Sequence, residues 1–140
     1  MLTFEVADPT AVYSLVMYDI TGAASAAFDV AGDATGDQTS FVSTLTGASV
    51  TPSASGELVL CQLGNHYNTV TGASGSGFVF DSFWDNDESI DGPENVDEND
   101  GWSHYYSASA SKVSCVFTYS YATDAQQYWA SVAAAFKPAD

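Results

Sequence analysis

The sequence has almost no positive charge. Its 140 residues include two lysines, no arginine and 18 acidic residues, which gives a formal net charge of −16. Nucleic-acid binding needs basic side chains that displace counterions from phosphate, so that class of function is excluded. Attraction to anionic membranes is excluded for the same reason. Such a negative chain suits solubility, divalent cations or a saline extracellular medium, where salt screens the repulsion between carboxylates.

Long apolar runs and catalytic motifs are also missing. No apolar stretch is long enough to span a bilayer, so we expect no membrane insertion. The only histidines are His66 and His104, and the chain lacks a G-x-S-x-G elbow, an H-E-x-x-H zinc motif and a Walker motif. Without arginine, an anionic substrate would lack its usual bidentate clamp. We therefore predict that the protein is not an enzyme.

The length of the chain and its pattern of short strands and turns predict one all-β domain over residues 1–140, built as an antiparallel β-sandwich. The clearest strands are 57–63, with Val59, Cys61 and Leu63 on one face, and 113–121, where apolar and polar residues alternate. Further strands are predicted at 2–6, at 12–20, within 40–50, at 78–83 and at 102–109, whereas TGAA (21–24), GDATGD (32–37) and residues 72–77 predict turn-rich loops.

The segment 126–136, QQYWASVAAAF, fits two structures. Its helix propensity is high, and Trp129, Val132 or Ala133, and Phe136 have helical spacing. It also alternates as a strand, with Tyr128 and Val132 among the residues on one side. Periodicity leaves the choice between helix and strand open.

The two cysteines allow at most one internal bridge. Cys61 and Cys115 each lie on the more apolar face of a predicted strand, and such residues can meet at disulfide distance inside a sandwich. The alternative is two buried free thiols that behave as small hydrophobic side chains. We favour the disulfide because the composition is of an extracellular type.

The densest charge lies in DSFWDNDESIDGPENVDENDGW, residues 81–102, which holds nine of the 18 acidic residues and two of the three tryptophans. We predict an acidic loop at about 84–101. It is not an EF-hand, because counting from Asp85 puts Ile90 where glycine is required and Val96 where glutamate is required. An irregular calcium site is one prediction, with these ligands: Asp85, Asp87, Asp91 and Asp97. A solvated loop without a metal is the other.

Aromatic residues flank this loop. Trp84, Trp102 and Tyr105 could stack on sugar rings while neighbouring carboxylates bind hydroxyl groups, which predicts a carbohydrate-binding site. The alternatives are ordinary packing in the sandwich interior and a protein interface, because Trp and Tyr are frequent in both.

Four phrases occur in order along the chain: SLVMYDITGA, VTPSASGELVLCQLG, a GSGF strand and WASVAAAFKPA. In this the chain resembles secreted bacterial β-sandwich domains of the jelly-roll, concanavalin-like type, which recur in extracellular and cell-surface proteins and in some phage structural proteins. The resemblance implies that 126–136 is a strand. It also implies that the chain matches the later strands of the domain, so that the sandwich is incomplete and a neighbouring chain completes it.

Together these expectations describe a non-enzymatic structural or adhesive subunit, located outside the cell, on a cell surface or on a virion. Its partners would be copies of itself, through strand edges or strand donation, or a larger surface assembly such as a filament. The alternative function is a calcium-assisted carbohydrate-binding module.

Overall fold

The structure, a computed structural model, describes residues 18–38, 42–66, 70–75, 77–85, 98–119 and 127–139. These residues form eight β-strands: β1 (Ala23–Gln38), β2 (Thr44–Val50), β3 (Leu58–His66), β4 (Val70–Ala73), β5 (Val79–Asp85), β6 (Glu98–Tyr106), β7 (Val113–Tyr119) and β8 (Gln127–Pro138). None of the described residues forms a helix long and apolar enough to cross a membrane.

The strands make two antiparallel sheets, one of five strands in the order β1-β8-β3-β6-β5 and one of three in the order β2-β7-β4. The sheets face each other across an apolar core. Their buried side chains are Leu45, Ala48, Val50, Val59, Cys61, Leu63, Val70, Val113, Cys115, Phe117, Ala133 and Ala135. The predicted all-β sandwich is therefore confirmed, while its jelly-roll topology and its incompleteness stay predictions.

The two strands that the sequence predicts most clearly provide the centre of this core. Val59, Cys61 and Leu63 of β3 are buried on the face that looks toward the smaller sheet, as predicted. Cys115 and Phe117 of β7 are buried opposite them. Cys61 and Cys115 form a disulfide with a Cα–Cα distance of 5.8 Å, so the prediction of a bridge is confirmed and the two sheets are covalently linked.

The segment that sequence periodicity left open is a strand. β8 pairs with β1 on one side and with β3 on the other, so hydrogen-bonded neighbours on both edges outweigh its helix propensity. Ser131, Ala133 and Ala135 are buried in the core, whereas Tyr128 and Val132 face away from it. The small core-facing residues let β2 of the smaller sheet pack closely on β8, where the Ala48 NH donates to Ser131 Oγ at 3.1 Å.

One element contradicts the sequence prediction. Residues 23–24 and 32–37, predicted as turn-rich loop, belong instead to the 16-residue edge strand β1. Its alanines, glycines and aspartates have low strand propensity, but the glycines have a packing role. A Cβ atom on Gly36 would lie 2.7 Å from Cζ2 of Trp129, so glycine makes room for the indole ring. Long-range pairing with β8 thus decides the structure here.

Other predicted strands are only partly covered by the structure. Residues 2–6 and 12–17 lie outside the described residues, and Tyr18, Asp19 and Ile20, which end the predicted strand 12–20, are not in a strand. Of the predicted acidic loop, residues 86–97 lie outside the described part, while β6 begins at Glu98.

Candidate functional site

Most of the predicted calcium ligands lie outside the residues that the structure describes. Asp87, Asp91 and Asp97 lie outside the described residues, and Asp85 is placed only by its backbone, as the last residue of β5. Within the described ranges, no group of three or more His, Cys, Asp or Glu side chains could hold a metal ion. Calcium binding by the acidic loop therefore stays a prediction.

The structure does not bring together the predicted sugar-binding aromatics Trp102 and Tyr105. They are three residues apart on β6, so they lie on opposite faces of the sheet. Tyr105 points inward and stacks on Phe78 with ring centroids 4.9 Å apart, beside the core. Trp102 lies on the opposite, outward face, and Trp84 is placed only by its backbone, opposite Asp100. A platform that uses both Trp102 and Tyr105 cannot form on one surface.

The feature that stands out is the face of the five-stranded sheet that points away from the smaller sheet, called the outer face below. In a two-layer sandwich such a face is usually polar. Here, however, cross-strand rows of apolar side chains run across it. Phe28, Phe136, Leu58 and Tyr106 form one row, and Ala31, Ala134 and Leu60 form most of the next.

The exposed apolar residues are concentrated on this face. All six exposed large hydrophobic side chains among the described residues belong to it: Tyr18, Phe28, Val79, Tyr106, Tyr128 and Val132. Phe28 is 61% exposed and Tyr106 is 64% exposed, although each lies beside other apolar side chains. Scattered exposed apolar residues are ordinary, but a contiguous group usually marks a contact surface.

A groove of about 460 Å³ lies in the middle of the outer face. Its walls are mainly apolar, and its lining includes Tyr18, Leu60, Trp102, Val132 and Phe136. The indole nitrogen of Trp102 is buried and has no hydrogen-bond acceptor among the residues that the structure describes. Leaving a buried donor without an acceptor costs about 1–3 kcal/mol.

Three side chains beside the groove form a hydrogen-bonded cluster. Asp81 is the extra residue at a β-bulge in β5, which turns its carboxylate toward the neighbouring strand. Its Oδ1 lies 2.6 Å from Nδ1 of His104, and its Oδ2 accepts a hydrogen bond of 3.0 Å from the Tyr18 hydroxyl. Burial, together with the hydrogen bond to Asp81, raises the pKa of Tyr18 well above its ordinary range. The cluster therefore fixes Tyr18 on the outer face.

A second polar cluster lies at one end of the sandwich. Asp29 is the extra residue at a bulge in β1, and its Oδ1 is 3.0 Å from Nζ of Lys137 at the end of β8. The Ser53 backbone NH donates to Oδ2 of Asp29 at 2.8 Å. Ser53 Oγ lies 2.9 Å from Asp29 Oδ1 and 3.0 Å from Oε1 of the fully buried Glu57, and its single proton can serve one acceptor at a time. This cluster ties β1 and β8 to the β2–β3 connection, which is a structural role.

We expect the ionisation of Asp29 to make the free energy of unfolding depend on pH. The hydrogen bond from Lys137, followed by that from the Ser53 backbone, lowers the pKa of Asp29 from 3.8 to about 2. Because the pKa is lower in the folded state, ionised Asp29 stabilises the fold above about pH 4, and this contribution disappears as the pH falls toward 2. Asp29→Asn should therefore lower the denaturation midpoint near neutral pH, and the difference from the wild type should shrink at about pH 2. Chemical denaturation at both pH values measures this.

Asp33→Asn is the matched control, because Asp33 is an exposed carboxylate on the same strand. It should change the midpoint little at either pH. A difference for Asp29→Asn that is the same in acid and at neutral pH would contradict the expected role of the ion pair.

Sequence reasoning missed the outer face, although two signals pointed to it. In β3, Leu58 and Leu60 alternate with Val59, Cys61 and Leu63, so apolar residues face both ways. The same holds for β8, where Val132 and Phe136 alternate with core alanines. A strand that is apolar on both faces is typical of a sheet covered on both sides.

Comparison of the chain with known proteins identified no similar protein. No protein-family model matches the chain, and neither a curated protein nor a solved structure matches it.

Proposed function

We propose that this protein is a non-enzymatic structural or adhesive subunit of an extracellular assembly and that copies of it meet through the outer face. The observation that carries the proposal is the concentration on that face of all six exposed large hydrophobic side chains among the described residues. The disulfide is compatible with an extracellular location, since such bonds persist in oxidising surroundings.

The charge of the chain favours this face as the place of contact. Two copies with a net charge of −16 repel each other over most of their surfaces. The row Phe28, Phe136, Leu58 and Tyr106 carries no charge, so it can face its own copy without opposing carboxylates. Contact through one patch on both subunits is the arrangement of a two-fold dimer. Association should strengthen with salt, because salt screens the remaining repulsion.

The test is the state of association of the wild type and of one charge substitution. We expect sedimentation velocity to show a dimer at micromolar concentration, and electron microscopy to show polymers where strand edges add a second contact to that dimer. Phe28→Asp should weaken association at least about tenfold, because it puts a carboxylate into the uncharged row. Thr46→Asp is the matched control, since Thr46 is exposed on the other sheet, and it should assemble as the wild type does. A wild type that stays monomeric across salt concentrations would overturn the proposal.

Carbohydrate binding is a second candidate, favoured by the aromatic side chains around the groove. Tyr18, Trp102 and Phe136 line it together with the polar Asp33 and Gln62. Of the predicted sugar-binding residues, Trp102 is the one whose described side chain supports this function, and calcium in the acidic loop would assist it. A glycan array with and without a calcium chelator, repeated with Trp102→Ala, tests the idea. An array without hits would remove this candidate.

A further inference from the structure

On the outer face, a row of large side chains lies beside a row of small ones. Phe28 on β1 lies opposite Phe136 on β8, and in the next row Ala31 lies opposite Ala134. Side chains on one face of a strand repeat every second residue, so the two rows are about 7 Å apart. The groove lies over the small row, since Ala31 and Ala134 both line it. Large apolar rings and an apolar hollow are therefore neighbours on one surface.

Phe28 has the exposure and the groove has the volume for a contact between copies. The Phe28 side chain is 61% exposed, although its ring contacts Phe136 at a centroid distance of 6.2 Å. The groove of about 460 Å³ falls within the range of about 300–1,000 Å³ found for pockets that bury small ligands, so it can receive an aromatic ring. A second copy carries the same ring on the same face, so it can supply that ring.

The charges on the outer face favour one orientation of the second copy. The row of Phe28 carries no charged side chain, whereas Asp33 and Asp37 are exposed farther along β1. A two-fold axis parallel to the strands would bring these acidic ends of both copies together in one half of the contact. An axis that runs across the strands places them at opposite ends of the dimer. The second orientation avoids the repulsion between like charges, so we expect it to be preferred.

Given the proposed contact between copies through the outer face, on which this depends, we infer that the Phe28 ring of each copy occupies the groove of the other. The two-fold axis of the dimer runs across the strands, between the row of Phe28 and the row of Ala31. This axis places Phe28 of each copy over Ala31 of the other copy, and Phe136 over Ala134. Facing sheets pack about 10 Å apart with interdigitating side chains, so large residues of one copy meet small residues of the other. Both grooves are filled at once, because the same patch contacts itself.

Photo-crosslinking of the full-length chain tests this contact. A benzophenone amino acid replaces Phe28, which keeps an aromatic side chain at that position, and sedimentation velocity confirms that the protein with the probe forms dimers. Isotopically labelled and unlabelled chains are mixed and irradiated, so that mass spectrometry distinguishes crosslinks between chains from those within one chain. Crosslinks between chains should join position 28 to peptides that contain Ala31 or Ala134. A two-fold axis parallel to the strands would instead join position 28 to the peptide that contains Tyr106, at the other end of the same row.

Filling the groove with a side chain of its own provides the second arm. Ala134→Trp should weaken dimerisation at least about tenfold, because the indole takes the space of the incoming ring. Ala130→Trp is the matched control, since Ala130 is exposed on the same face of β8, four residues closer to its start. In the inferred dimer it lies past the end of β8 of the other copy, so this variant should dimerise as the wild type does. Circular dichroism confirms that both variants are folded.

The outcomes separate this inference from the proposed function. Wild-type dimers whose crosslinks from position 28 reach only Tyr106, or no residue of the other chain, would overturn the inference and leave the proposed function in place. Unchanged dimerisation of Ala134→Trp would have the same meaning. A wild type that stays monomeric across salt concentrations would overturn both.

Discussion

Replacing both cysteines with alanine, in Cys61→Ala/Cys115→Ala, should lower the free energy of unfolding by about 4 kcal/mol. The disulfide joins residues 54 positions apart, and closing a loop of that length in the unfolded chain removes conformational entropy worth about 4 kcal/mol. A domain of this size is stable by about 5–15 kcal/mol in total, so the loss is a large fraction of that stability. Urea denaturation of the wild type and the variant under two-state conditions measures it.

Reduction of the wild type is the matched control, because it removes the same bond without changing the sequence. Reduced wild type and the double variant should unfold at similar urea concentrations, and both should unfold well below the oxidised protein. If the double variant unfolds at the wild-type midpoint, the covalent link between β3 and β7 does not stabilise the fold. A variant that is much less stable than the reduced wild type would instead indicate that packing of the sulfur atoms dominates.

Phe117→Ala should destabilise the protein by about 4 kcal/mol, and Phe28→Ala by less than about 1 kcal/mol. The two substitutions remove the same atoms from opposite environments. Phe117 is fully buried between the sheets, whereas Phe28 is 61% exposed on the outer face and contacts Phe136 edge to face at a centroid distance of 6.2 Å. Removing the buried ring leaves a cavity in addition to the lost burial.

Comparing the two phenylalanines separates the core from the contact surface. Denaturation of dilute, monomeric protein should show the large difference in stability, while association at higher concentration should suffer mainly from Phe28→Ala. Equal losses of stability in the monomer would mean that Phe28 is part of a core, which would contradict its assignment to a surface between subunits. A small loss for Phe117→Ala would contradict the assignment of the core itself.

Sequence patterns predicted the parts of this fold whose two faces differ in polarity. In β7, Cys115 and Phe117 alternate with the polar Ser114 and Thr118, and Cys115 meets Cys61 of the facing strand β3. β1 could not be found in this way, because its alanines, glycines and aspartates carry a loop signature. Its strand structure comes from pairing with β8, which is distant in sequence.

The candidate site was harder to foresee than the fold. Asp81 counted only as one carboxylate of the acidic stretch, yet the bulge in β5 directs it to His104 and Tyr18. Residues that are 23 and 63 positions away in sequence form this cluster, so no local motif announces it. Trp102 and Tyr105 looked like one platform in the sequence, and the alternation of a strand separates them.

The pairing of β1 with β8 also determines how the domain responds to mechanical force. Ala23 lies opposite Pro138, and the Ala139 NH donates to the Gly22 carbonyl at 2.7 Å, so these two points of the chain are side by side. A force that pulls Gly22 away from Ala139 acts on the hydrogen bonds between β1 and β8 one at a time, starting at that end, because the two strands are antiparallel. The bonds would therefore open in sequence like a zipper. A load applied across the outer face of a dimer would instead act on many side-chain contacts at once, so that contact would resist tension better than the end of the β1–β8 ladder.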